Sequence, residues 1–228
     1  MTQLPFRDRT DAGRRLGAEL AQRDFSGGVM VLTLPRGGLP VGFEIAKALH
    51  APLDVVVVRK LGVPWQPELA MGAIAGGGIQ VLDRRLIGGL GISQQMVDAV
   101  IRKESAEIER REKLYRADRA EIDPLGRTVV LADDGLATGS TMLIAIRYVR
   151  MRKAAKIIVA VPVGSSEACA RVEKEADELV CLAVPESFMA VGEWYRDFRQ
   201  ITDEEVRSWL EQSRRLSQTQ GNELTRAR

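Results

Sequence analysis

Short apolar runs alternate with helical segments along most of this chain, and this alternation constrains its fold more than any other feature. The runs are mostly free of polar alternation, which is typical of strands covered on both faces. They span Val29–Leu34, Asp54–Val58, Thr128–Ala132, Ile157–Val163 and Leu179–Val184. Helical periodicity separates them at Pro40–Leu49, Ser140–Arg152 and Ser165–Ala176. The pattern predicts an α/β fold with a central parallel sheet, whose ligands bind at the carboxyl ends of the strands.

Composition indicates one main folded domain. The 228 residues are 45% hydrophobic and 28% charged, which is sufficient for a buried core and too apolar for a disordered chain. The 33 Lys and Arg residues nearly balance the 31 Asp and Glu residues, so nothing supports nucleic-acid binding. After residue 213 the sequence is polar and loses periodicity. We therefore predict a domain over 1–213 and a disordered tail over 214–228.

Several classes of protein are disfavoured by single residue types. Cys169 and Cys181 lack a CxxC pattern, and with His50 as the sole histidine the usual zinc clusters are not expected. His50 also follows an apolar helical pattern, so we interpret it as a helix-end residue and not as a catalytic base. Residues 1–24 lack the apolar core of a signal peptide, and no run is long enough to span a membrane. A soluble, cytoplasmic protein is expected.

Two insertions interrupt the alternation of strands and helices. The first, Leu61–Leu82, contains Pro64 and Pro67, and predicts a mobile loop that leads into an antiparallel hairpin. The second, Ser93–Glu121, has the periodicity of one long helix. Its charges are mixed in sign, which indicates a solvated face and not a nucleic-acid patch.

The segment most informative about chemistry is VVLADDGLATGST at residues 129–141. A predicted strand delivers Asp133 and Asp134 at its carboxyl end, and a small-residue loop then opens a helix at Ser140. Amides at the helix N-terminus can surround a phosphate, while the two carboxylates can accept hydrogen bonds from ribose hydroxyls. The hydroxyls that can join the phosphate site are those of Thr138, Ser140 and Thr141. The alternative is an Asp-Asp turn followed by an ordinary helix cap.

This segment resembles the 5-phosphoribosyl diphosphate (PRPP) binding motif of type I phosphoribosyltransferases. The resemblance implies the type I phosphoribosyltransferase fold, with a flexible hairpin insertion and a hood formed by about residues 185–200 and the N-terminal segment. The implied activity is a pentosyl transfer from PRPP to a nitrogenous base or related acceptor, with release of diphosphate. It also implies Mg²⁺ carried with PRPP, and a homodimer. The C-terminal segment is similar to the ending of a branch of predicted phosphoribosyltransferases.

The resemblance assigns roles to further residues. Arg36, Gly37 and Gly38 match the loop that binds diphosphate, where glycines let backbone amides turn toward an anion. Arg59 and Lys60 match the basic pair at the start of the loop that closes over PRPP. The PRPP-binding loop itself comprises Gly135, Ala137, Thr138, Gly139, Ser140 and Thr141. The expected catalytic residues are Asp133, Asp134 and Glu68, the last as a loop carboxylate that handles a proton on the base.

The acceptor side is represented by an aromatic cluster in a chain with few aromatic residues. Phe188, Trp194 and Tyr195 follow the last predicted strand and therefore lie at the edge of the site. They either stack an acceptor base or pack a C-terminal cap. One other function stays open, a regulator that binds PRPP or a nucleotide without turnover. A hydrolase in which Asp133 is the nucleophile is disfavoured, because the sequence lacks the Asp-x-Asp arrangement or metal cluster that it needs.

Overall fold

The computed structural model describes residues 4–25, 27–116 and 120–226, with side chains described as far as residue 216. The strands are β1 (Val29–Thr33), β2 (Leu53–Val55), β3 (Val58–Val63), β4 (Gln66–Ala75), β5 (Gln80–Leu82), β6 (Thr128–Ala132), β7 (Lys156–Val163) and β8 (Glu178–Ala183). The helices are α1 (Arg9–Leu20), α2 (Gly38–Ala48), α3 (Arg84–Gly89), α4 (Gln94–Arg116), α5 (Ser140–Met151), α6 (Ser166–Glu173) and α7 (Asp203–Arg226). Short 3₁₀ helices span Gly76–Gly78 and Val191–Trp194.

A five-stranded parallel sheet with helices on both faces confirms the predicted α/β class. Its strand order is β2-β1-β6-β7-β8, and apolar clusters cover both faces. Thr33 of β1 is paired with Ala132 of β6, so these two strands end side by side. The loops that follow them, the two segments singled out in the sequence, therefore meet at one sheet edge.

The predicted strand Asp54–Val58 is in fact two strands. β2 ends at Val55, and Val58 begins β3 in a separate antiparallel sheet. Asp54 is buried in β2, where its carboxylate accepts hydrogen bonds from Arg116 Nε at 3.0 Å and from the Ile122 amide. A buried carboxylate needs such partners. This contact holds α4 against the sheet. The described part of the helix spans Gln94–Arg116, and Glu121, near its predicted end, is not helical.

The segment after Leu61 forms a β-hairpin and not the irregular loop that was predicted, while its mobility stays a prediction. β3 pairs with β4 and β4 pairs with β5, as an antiparallel three-stranded sheet. The ladder tolerates both prolines. Pro64 lies in the turn with Trp65. Pro67 lies opposite the register shifts that flank Gly62, so the ladder does not require a backbone N–H at this position. The antiparallel hairpin predicted further along, between β4 and β5, is confirmed.

Close packing of α1 on α2 brings the N-terminal helix to the site. Cβ atoms on Gly13 and Gly17 would lie 2.8 Å from the Val41 carbonyl oxygen and 2.9 Å from the Ala48 Cβ. Glycine at these positions lets the two helices approach each other closely. The N-terminal end of α1, which begins at Arg9 behind the cap residue Asp8, is thereby held near the carboxyl ends of the strands.

The C-terminal helix α7 continues past residue 213, the predicted boundary of the domain. The backbone from 214 to Arg226 is therefore helical and not irregular as expected. Val206 and Leu210 are fully buried, and the Trp209 ring lies 4.6 Å from that of Phe43 on α2. This packing stabilises the helix, and nothing after residue 213 breaks it before Arg226. That 214–228 lies outside the domain stays a prediction.

Two smaller observations complete the fold. His50 follows the end of α2 with a positive φ of 51°, in agreement with a helix-end role. Within the described ranges, no helix combines the length and the apolar character that crossing a membrane requires.

Candidate active site

The centre of the site is the acidic pair that follows β6. The carboxylate of Asp133 accepts a hydrogen bond from the amide of Asp134 at 2.9 Å. Gly37 and Gly38, from the loop after β1, lie directly against the pair. A Cβ atom on Gly37 would overlap Oδ2 of Asp134, and one on Gly38 would lie 3.1 Å from Oδ1 of Asp133. The structure thus brings together two segments separated by about a hundred residues that the sequence assigned to one site.

Burial and mutual repulsion govern the ionisation of this pair. The pKa of Asp133 is raised well above its ordinary value, first by burial and then by the neighbouring charge of Asp134. Burial also raises the pKa of Asp134, although the guanidinium of Arg9 opposes the rise. Two adjacent carboxylates with raised pKa values are typical of a functional site, where a cationic or hydroxyl-rich ligand completes their surroundings.

The loop at residues 135–141 has the form that anion binding requires. Gly139 adopts φ 71° and precedes α5 without capping it by a side chain. The Ser140 amide donates to Thr138 Oγ1 at a long 3.4 Å, so an anion can replace this contact and bind the first amides of the helix. Thr138 is exposed, and its hydroxyl lies 3.1 Å from that of Ser140.

Two residues of α6 and its N-cap hold this loop in place through hydrogen bonds. Ser165 donates its hydroxyl to the Ala137 carbonyl at 2.8 Å, and Arg171 donates to the Thr138 carbonyl at 3.0 Å. Both carbonyls are thereby turned toward α6. The arrangement leaves amides and hydroxyls to the ligand side, as an anion site needs.

A cavity of about 450 Å³ lies between the β3–β4 hairpin, α4 and the start of α5. Its wall includes Arg59, Lys60, Lys103, Glu104 and Thr141. Thr141 belongs to the loop just described, so the predicted basic pair and the predicted phosphate loop share one cavity. Lys60 and Lys103 are exposed, whereas Arg59 is paired with Glu104 at 2.7 Å. Sequence analysis missed Lys103, because it is one of many charges on a mixed-sign helix.

Arg36 lies in the loop after β1, and its side chain contacts the start of α7. Its peptide bond to Pro35 is cis, and its guanidinium lies 4.0 Å from the Asp203 carboxylate at the start of α7. Asp203 also accepts a hydrogen bond from the Tyr115 hydroxyl at 2.6 Å, which places α4 and α7 beside the loop.

Glu68 is not brought to the acidic pair. It lies on β4 in a run of five exposed residues, Gln66 to Ala70, near the tip of the hairpin. No contact in the described residues joins it to Asp133 or Asp134. The structure therefore gives no support to a catalytic Glu68 in this arrangement of the hairpin.

The aromatic residues form a cap, as one of the two alternatives predicted. Tyr195 is buried, its hydroxyl donates to the backbone oxygen of Asp134 at 2.6 Å, and its ring packs between those of Phe6 and Phe198. Tyr195 is thus unavailable to stack a base. Phe188 and Trp194 are half-buried and stack on each other at 6.5 Å.

Arg9 is a second residue at the site that sequence analysis missed. Its Nε donates to Oδ2 of Asp134 at 2.8 Å across 125 positions of sequence, and only 8% of the residue is exposed. In the sequence it was one charge among several in a polar N-terminal segment. No local pattern distinguishes a charge that folding buries from one that stays in solvent.

The acidic pair does not belong to a larger cluster of metal ligands. Among the described residues, no group of three or more His, Cys, Asp and Glu side chains could hold a metal ion.

Comparison with known proteins identifies the family. Residues 7–197 match the phosphoribosyl transferase domain. The chain belongs to this family. Two curated proteins of Mycobacterium tuberculosis, from strains CDC 1551 and H37Rv and each named "putative phosphoribosyl transferase", are 50% identical to this chain over 211 residues. The match covers 92% of the chain and 47% of each relative, so the chain spans about half of their length.

Solved structures agree with the fold of this chain. The crystal structure of TT1426 from Thermus thermophilus is 41% identical, with a TM-score of 0.80, covering 92% of the present chain and 99% of that one. A hypothetical protein from Neisseria gonorrhoeae with bound ppGpp is 12% identical with a TM-score of 0.50, over 96% and 98% of the two chains. At that identity the second match shows the shared fold alone.

Proposed function

We propose that this protein binds PRPP and transfers its 5-phosphoribosyl group to a nitrogenous base or related acceptor, with release of diphosphate. One observation carries the proposal: the Gly37–Gly38 backbone lies against Asp133 and Asp134, and the loop after this pair leads into a helix N-terminus that no side chain of its N-cap residue closes. PRPP has three parts, a 5′-phosphate, a ribose and a diphosphate. They match the phosphate loop, the carboxylate pair and the glycine loop in turn.

Each part of PRPP has a partner in this proposal. The 5′-phosphate binds the amides and hydroxyls of residues 137–141, and the ribose hydroxyls donate to Asp133 and Asp134. The diphosphate binds the amides of Gly37 and Gly38, with Arg36, Lys60 and Arg59 supplying charge. Mg²⁺ enters as part of the substrate, held mainly by diphosphate oxygens and water, because two carboxylates alone make a poor cage for it.

The same residues account for catalysis. Bond cleavage at the anomeric carbon leaves positive charge on the ribose ring and negative charge on the departing diphosphate, and the acceptor nitrogen attacks from the opposite face. The buried carboxylates stabilise the first charge, and the cations around the loops stabilise the second. Burial and the charge of Asp134 raise the pKa of Asp133, so a positive charge that develops beside the pair stabilises the ionised form of this carboxyl group.

The acceptor binds under the cap in this proposal. Val191 in the cap lies against Gly135, where a Cβ atom would be 2.6 Å from Val191 Cγ1, so the cap borders the PRPP loop directly. Phe188 is half-buried and Met189 is exposed on the same segment. An apolar edge of this kind suits a flat heterocycle.

The expected homodimer is tested by the molar mass in solution.

A regulator that binds PRPP without turnover is the second candidate. One observation favours it: Glu68 lies away from the acidic pair. A binding protein needs the phosphate loop and the ribose carboxylates but no group that handles a proton on the acceptor.

One experiment separates these functions. The protein is incubated with Mg²⁺ and PRPP against a panel of purine and pyrimidine bases, while diphosphate release and nucleotide formation are followed together. Calorimetry with PRPP, each nucleoside monophosphate and ppGpp runs in parallel. Base-dependent diphosphate release supports the transferase, binding without release supports the regulator, and failure to bind PRPP at all overturns both.

A further inference from the structure

Arg9 makes four contacts, which connect helix α1 to Asp134 and to the C-terminal cap at about residues 185–200. Its Nε donates to the Asp134 carboxylate, and its Nη1 donates to the Arg199 carbonyl at 2.8 Å. Its guanidinium also lies over the ring of Phe198, 3.8 Å from the centroid, and at 6.0 Å from that of Tyr195. Three of these partners belong to the C-terminal cap, and one is a proposed ribose ligand.

Asp134 is held from both sides by this arrangement. Arg9 of α1 holds its carboxylate, while the Tyr195 hydroxyl of the cap holds its backbone oxygen. The carboxylate cannot swing away on its third side, because the backbone of Gly37 occupies that space. A side chain held in this way keeps one orientation before any ligand arrives, which is the property that pre-organised sites share.

We propose that Arg9 is a positioning residue, which fixes the Asp134 carboxylate for the ribose hydroxyls and links the ribose site to the acceptor cap. The inference rests on the proposed binding of PRPP. It predicts that the N-terminal helix is part of the site, although it precedes the first strand of the sheet. It also predicts that Arg9 affects ligands with a ribose and leaves ligands without one unaffected.

A purely structural role for Arg9 is the alternative, since breaking a buried ion pair destabilises many proteins. The two roles differ in their ligand dependence. A structural role weakens every ligand, because a disturbed site binds everything less well. A positioning role weakens PRPP and ribose 5-phosphate, which carry ribose hydroxyls, and spares inorganic diphosphate, which does not.

The test measures the affinities of these three ligands, with Mg²⁺, for R9M, D134N and the double variant. R14M is the matched control, because Arg14 lies on the same helix and also makes an ion pair, with Glu44 at 3.4 Å. R9K keeps the charge and serves as the rescue variant, which also covers the case that R9M fails to fold. We expect R9M to weaken PRPP and ribose 5-phosphate roughly 10-fold, with partial recovery in R9K.

Non-additivity is the decisive readout. If Arg9 acts through Asp134, R9M causes no further loss of PRPP affinity in the D134N background. Additive losses, an equal loss for inorganic diphosphate, or a loss of the same size in R14M would each overturn the positioning role while PRPP binding stands. If the wild-type protein does not bind PRPP, the proposed function fails, and the inference fails with it.

Discussion

Glu104 on α4 and Arg59 on β3 form a 2.7 Å ion pair at the rim of the cavity of about 450 Å³ between the hairpin and α4. Glu104 is nearly buried, whereas a third of the Arg59 side chain is exposed. The carboxylate therefore holds back one of the three cations of this cavity, and an arriving anion must compete with it for Arg59.

Replacing Glu104 by Gln tests this competition. The change removes the charge and keeps an acceptor for Arg59, so we expect Mg²⁺-diphosphate to bind about 3- to 10-fold more tightly at low salt. The gain shrinks as ionic strength rises, because the site is partly exposed. Titration calorimetry at two salt concentrations measures both effects. E109Q, an exposed position on the same helix, is the control, and weaker binding in E104Q would show that Glu104 instead holds Arg59 ready for the anion.

Gly37 has no room for a side chain, because its Cβ would overlap Oδ2 of Asp134. That carboxylate cannot yield easily, since Arg9 holds it. We expect G37A to weaken PRPP at least roughly 10-fold and to lower Tm, as overpacking does. G88A, where a Cβ would meet open space on α3, is the control. Unchanged PRPP affinity in G37A would separate the glycine loop from the ligand.

Replacing Asp133 and Asp134 by Asn keeps size and most hydrogen bonds while removing the negative charges. We expect turnover to fall roughly 10²-fold or more, with a smaller loss of PRPP affinity, because the charge matters most when the ribose ring becomes positive. Initial rates at saturating PRPP measure this. Unchanged turnover in the double variant would rule out the transition-state role.

We expect the single variant D133N to be more stable than the wild type. The folded-state pKa of Asp133 is raised, so its ionisation lowers the free energy of unfolding as pH rises above the unfolded value of about 3.9. Asn does not ionise. We therefore expect the Tm of D133N to exceed that of the wild type, by a margin that grows from pH 4 toward pH 7. A constant margin would mean that the gain comes from packing.

The strand ends and the VVLADDGLATGST loop could be predicted from the sequence because their signals are local. Burial on both faces dictates apolar runs such as Val29–Leu34, and an anion loop needs small residues before a helix. The Arg9–Asp134 pair spans 125 positions and has no such signal. The hairpin around Pro64 and Pro67 was missed for a related reason: whether a proline disrupts a ladder depends on its register, which only the partner strand sets.

Thr138 is the loop hydroxyl with the clearest test. Thr138→Val keeps the branched shape and leaves a phosphate oxygen short of one charge-assisted hydrogen bond, which costs about 1.5 to 3 kcal/mol of binding. The loss is equal for PRPP and ribose 5-phosphate if Thr138 binds the 5′-phosphate. T128V, at the opposite end of β6, is the control. A loss confined to PRPP would instead assign Thr138 to the diphosphate.

The last prediction concerns motion of the hairpin, from Leu61 to Glu68. These residues form a β-hairpin and not a loop, yet its tip is exposed, with Trp65 56% accessible and Gln66 to Ala70 in solvent. Lys60 lies on β3 and lines the same cavity as Pro64 and Pro67 of the tip. Closure of the tip over PRPP would bring Lys60 onto the diphosphate and exclude water from the ribose cation.

Amide hydrogen exchange with and without Mg²⁺ and PRPP measures this closure. We expect exchange across 61–68 to slow when PRPP binds, beyond the protection that the ladder between Leu61 and Gly72 already gives. Lys60→Ala loses the extra slowing if the diphosphate draws the hairpin down, whereas R102A, an exposed cation on α4, keeps it. Equal protection in both states would make the hairpin a fixed wall of the cavity. Glu68, which could reach the acceptor only by that motion, would then have no catalytic role.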